Sequence, residues 1–163
     1  MNLLERYSLE CIKNITLRVE PGFSINEFIE KHGKNLRSIT NGVNDQNFPL
    51  EQDFEGKIDF FIFKVKQEIC PTYKFLLEAK DEGYILTGVK GIALLFLNNN
   101  KELPKDSWIL SPNRILSLED YWKHAAVPYF VSENNEGHLN SSNHSVTHIP
   151  DRMYIVLGKK IVS

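Results

Sequence analysis

Three residues could do chemistry together: Asp59, Glu78 and Lys80. They sit in the densest apolar, β-favouring part of the chain, Lys57 to Asn98. If Ile58–Lys66 and Tyr73–Lys80 are paired antiparallel strands, alternation sets Glu78 and Lys80 on one face of the second strand. Asp59 then lies near the start of its neighbour. Two converging carboxylates make a hard oxygen site suited to Mg²⁺. The ion could activate a water and offset charge on a phosphate. Lys80 would orient that water or stabilise charge building on the phosphoryl oxygens.

The order Gly56-Lys57-Ile58-Asp59, then Phe75-Leu76-Leu77-Glu78-Ala79-Lys80, resembles the core motif of the PD-(D/E)XK nuclease superfamily. The resemblance implies an Mg²⁺-dependent endonuclease acting on DNA or RNA. Asp59 and Glu78 would be its metal ligands and Lys80 its catalytic lysine, with Glu27 or Glu30 on a preceding helix assisting. Two positions depart from the family pattern. Ile58 stands where the family has proline, and Asp81-Glu82-Gly83 reads as a tight turn where the family continues into a helix. The alternative is that these residues are the solvated face of an antiparallel sheet. The chain would then be a non-enzymatic module that binds a protein: an inhibitor, an immunity-type protein or an accessory subunit.

A second group is His138, His144 and His148. Three imidazoles could hold zinc. Their spacing matches no established ligand pattern and no cysteine is near, so a polar surface loop is the preferred reading. Cys11 and Cys70 are far apart and read as two thiols in a reducing compartment. The chain has no glycine-rich phosphate loop, nucleophile elbow or dinucleotide fingerprint.

The elements that must position these groups follow from composition and pattern. A chain of 163 residues, 42% apolar and 25% charged, can bury a core as a single domain over 1–163. A net charge of −2 gives no global basic field for nucleic acid, although a local basic face could coexist with it. The N-terminal residues lack a signal-peptide pattern, and the run Ile92–Leu97 is too short to span a bilayer, so a cytoplasmic protein with no membrane partner is expected.

The expected architecture is α+β, a mainly antiparallel sheet of about five to seven strands. One main helix is predicted over 24–39, from Ser24 as N-cap, Glu27 three residues on and apolar residues at helical spacing. One or two short helices join it, over 1–12 and Ser117–His124. Strands are predicted at Ile15–Val19, Ile58–Lys66, Tyr73–Lys80, Trp108–Leu110, Val127–Val131 and Met153–Leu157. Tyr84–Thr87 and Ile92–Leu97 fit two strands, or Thr87–Asn98 one helix, and Gly88 and Gly91 favour strands. Polar loops are expected at 40–56 and 132–147, the usual places for a site.

Overall fold

The computed structural model describes residues 1–33, 36–39, 54–113, 127–133, 136–142 and 148–162. Its elements, in chain order, are α1 (Leu3–Arg6), β1 (Leu9–Val19), α2 (Ile25–His32), β2 (Leu36–Ile39), β3 (Gly56–Val65), α3 (Thr72–Asp81), α4 (Gly88–Asn99), β4 (Ser107–Leu110), β5 (Val127–Glu133), β6 (Glu136–Ser142) and β7 (Tyr154–Lys160). A short 3-10 turn, Asn100–Glu102, follows α4. The fold is α+β, as expected. The seven strands among the described residues form one sheet in the order β1-β3-β7-β4-β5-β6-β2. Neighbours run antiparallel except β4 with β7 and β2 with β6.

β3 is apolar on both faces because both faces are covered, which gives a nearly continuous hydrophobic run in place of alternation. Ile58, Phe60 and Ile62 pack with Ile25 and Phe28 of α2 and with Val89, Ile92, Ala93, Leu95 and Phe96 of α4. Phe63 and Val65 pack with Leu3 of α1 and with Phe75, Leu76 and Ala79 of α3. β7 divides likewise: Val156 joins the first layer, Ile155 and Leu157 the second.

β1 serves both layers by changing phase. Its register with β3 shifts between Cys11 and Lys13, so Ile12 is an extra residue, a β-bulge. Before it, Leu9 packs in the α1/α3 layer. After it, Ile15 and Val19 are buried in the α2/α4 layer.

Four expectations are corrected. Tyr73–Lys80 is part of helix α3, not a strand, so no hairpin joins it to β3, whose partners are β1 and β7. The helical period was present: Thr72, Phe75, Leu76 and Ala79 fall at one-turn spacing and are the buried residues of α3. Asp81-Glu82-Gly83 is its C-terminal cap. Gly83, at φ 84°, bonds through its N–H to the Lys80 carbonyl, and the Tyr84 N–H bonds the Ala79 carbonyl, a Schellman pattern.

Residues 84–97 are mostly helix: α4 takes Gly88–Asn99, and Ile85 makes only an isolated bridge with Gly158. The main helix is shorter than 24–39. Ser24 Oγ accepts from the Glu27 N–H at its start, but it ends at His32, and Leu36–Ile39 become β2 beside β6. Part of the expected 132–147 loop is strand β6, paired with β5 from Val127↔Ser142 to Glu133↔Glu136. The predicted helix at Ser117–His124 and most of the 40–56 loop lie outside the described residues.

Candidate functional site

Asp59 sits on β3, on the face shared by Phe61 and Phe63. Its carboxylate accepts a hydrogen bond from the Thr16 hydroxyl of β1. On its other side the register places Lys159 of β7. Lys159 Nζ lies 4.2 Å from the centroid of Tyr84, whose ring stands edge-on to Phe61 and Phe63. One rung further along, Arg18 pairs with Lys57. This open end of the sheet therefore carries Arg18, Lys57 and Lys159 around Asp59.

Glu78 lies elsewhere. Arg6 Nη1 of α1 bonds one of its carboxylate oxygens at 2.8 Å, and the Tyr7 hydroxyl donates to the same oxygen. Lys74, one helical turn back, stands 3.9 Å from the other. From Val65, next to the α1 end of the sheet, β3 runs about 20 Å to Asp59. The two carboxylates are thus held by different neighbours, Glu78 by Arg6 and Tyr7 and Asp59 by Thr16. Lys80 is exposed in the last turn of α3; two residues apart on a helix, it and Glu78 point about 200° away from each other. The three residues proposed to act together are not brought together.

Nor does this arrangement suit a shared Mg²⁺. A hard cation needs oxygens directed at one point, whereas Glu78 already accepts from a guanidinium and a phenol. Its carboxyl is held below the usual range, first by the Tyr7 hydrogen bond and then by Arg6. Among the described residues no group of three or more His, Cys, Asp and Glu is placed to hold a metal ion. His144 lies outside the described residues, while His138 is on β6 and His148 precedes the Ile149–Ile69 bridge.

The Tyr7 phenol is pushed up to about 12, chiefly by burial and then by its bond to Glu78. Replacing Glu78 with alanine should lower its midpoint towards, but not to, the ordinary value of about 10, because burial remains. An alkaline absorbance titration, read as the difference from a Tyr7→Phe control, measures this. An unmoved midpoint would mean that the bond does not form in solution.

Lys90, which the sequence reading passed over, is the most unusual group. It lies in α4 at 3% exposure. Its Nζ donates to the carbonyls of Glu20 at 3.3 Å and Phe54 at 3.4 Å. The rings of Phe23 and Phe54 stand at 5.6 and 5.4 Å. Burial pushes its amine down, opposed by the charge of Glu55. The signal was a single cation inside the apolar run Val89–Leu97. Nearby, α2 and α4 border a cleft of about 210 Å³, with Phe23, Phe28, Leu94 and Leu97 among its walls.

Compared with known proteins, the chain matches no family model, no curated protein and no solved structure. Among the described residues no helix is long and apolar enough to cross a membrane.

Proposed function

We propose that the chain is a non-enzymatic protein-interaction module, of the inhibitor, immunity-type or accessory kind. The observation that carries this reading is the placement of Glu78. A nuclease of the kind the motif resembles needs that carboxylate beside Asp59 on an ion. Here it closes a contact among α1 and α3 with Arg6 and Tyr7, and so serves the fold. Asp59 likewise accepts from Thr16 between two strands. Among the described residues, the basic rows around Asp59 and the outer edge of β1, the longest described strand, offer surface for a partner.

The test sets complex formation against turnover. The protein purified gently from its native host should appear by native mass spectrometry in a complex of fixed stoichiometry. Plasmid DNA and RNA incubated with it and Mg²⁺ should stay intact. Mg²⁺-dependent nicking that disappears in Glu78→Ala and Lys80→Ala, with the fold retained, would overturn the proposal in favour of the nuclease.

A further inference from the structure

We infer that the regular half of β1, Asn14 to Val19, is a docking edge for an extended segment of a partner protein that alternates apolar and acidic residues. The inference rests on the interaction reading above and names the partner's chemistry.

The backbone phase comes first. The N–H groups of Val65 and Ile161 bond the carbonyls of Met153 and Lys57, and the Arg152 N–H bonds the Val65 carbonyl. Odd-numbered residues of β3 therefore turn their polar backbone groups towards β7, and even-numbered ones towards β1. After the bulge, Ile62, Phe60, Ile58 and Gly56 face Lys13, Ile15, Leu17 and Val19. The residues between them, Asn14, Thr16 and Arg18, direct their N–H and C=O groups outward. All three are exposed, and among the described residues no strand lies beyond β1. An unpaired row of this kind is a template for an added strand. The bulge at Ile12 breaks the row on one side and confines docking to residues 14–19.

The side chains then select the occupant. On one face of this edge, Ile15 and Val19 are buried and Leu17 half-buried in the apolar layer. On the other face, Arg18 continues into Lys57 of β3, and Thr16 continues through Asp59 into Lys159 of β7. Arg18 is 80% exposed, and its partner Glu20 is 71% exposed at 3.1 Å, a solvated pair that little resists exchange. An incoming strand with acids over the cationic face and apolar residues beside Leu17 complements both. A second copy of β1 paired about Thr16 would set Arg18 against Asn14, bringing no acid to the cations.

The probes are two synthetic heptapeptides, one alternating valine and glutamate and the other valine and lysine, titrated into the whole protein. The acidic peptide should bind at least about tenfold more tightly. Its amide shift changes and exchange protection should fall on Asn14, Thr16 and Arg18. Arg18→Glu should reverse the preference. Thr16→Pro should abolish binding by removing an outward N–H that β3 does not use. Binding indifferent to charge, a footprint on another surface, or self-association through this edge would each overturn the inference. A stoichiometric partner whose footprint lies elsewhere would sink this docking edge yet leave the interaction module standing; Mg²⁺-dependent turnover would sink the module.

Discussion

Deleting Ile12 is expected to destabilise the protein by about 3–5 kcal/mol, whereas Ile12→Thr should cost less than about 0.5 kcal/mol. The side chain contributes little, since it is 41% exposed. The residue matters as a count. Without it the β1–β3 ladder becomes regular, and a one-residue slip turns every side chain on one half to the opposite face. If the second half turned, Ile15 and Val19 would leave the core. The cheaper outcome turns the first half, which extracts Leu9 and carries α1 with it, so that Leu3, Tyr7 and Arg6 lose their places against α3. Fully burying one such aliphatic side chain contributes roughly 1.5–3 kcal/mol, and Leu3 and Leu9 are both affected. Urea unfolding midpoints give the stability change. The Tyr7 titration reports which half moved: a phenol returned to its ordinary value means that α1 swung away, and equal costs for deletion and substitution would refute the phase argument.

Lys90→Ala is expected to cost about 2–4 kcal/mol, by removing a buried stem from between two rings and leaving the Glu20 and Phe54 carbonyls without their donor. The pH dependence separates charge from packing. The folded amine loses its proton below the ordinary value of 10.5 because it is buried. In that alkaline window the unfolded chain binds more protons than the folded one, so the Lys90 contribution makes stability rise with pH up to about 10.5. The neutral amine still has two hydrogens for two carbonyls, so deprotonation does not break the contact. Tyr7 acts with the opposite sign: its raised value adds stability that is present below about 10 and lost as pH rises through about 12. Denaturant midpoints between pH ~8 and ~12 should therefore rise and then fall in the natural protein. Lys90→Met should remove the rise and keep the fall; a rise that survives this substitution would place its source in another group.

Much of the sheet was legible because its central strands carry their signal in consecutive residues. Ile58–Val65, Trp108–Leu110 and Tyr154–Leu157 are apolar on both sides and could hardly be anything else. α3 was misread because Tyr73–Lys80 also alternates well enough to pass for a strand. Only the spacing of Thr72, Phe75, Leu76 and Ala79 distinguishes it, together with the fact that Gly83 can cap a helix as readily as it can close a hairpin. β6 was missed because Glu136–Ser142 is largely polar in sequence, and its pairing with β5 and β2 involves partners distant in the chain. The candidate site failed for the same reason as α3. Once Glu78 is helical, its neighbours are set by the packing of α1, and nothing local to Glu78 announces Arg6 or Tyr7.

The place of β7 bears on the order of folding. It follows the other described strands in the chain, yet it lies third across the sheet, between β3 and β4. Until residues 154–160 arrive, β1 and β3 can form one ribbon and β4, β5 and β6 another, each with a bare margin where β7 belongs. Contacts so distant in sequence are slow to close. During synthesis on the ribosome both margins stay open until almost the whole described chain has emerged. Over that interval an unfilled inner margin, rather than the outer edge of β1, is the chain's principal exposure to mispairing with its neighbours.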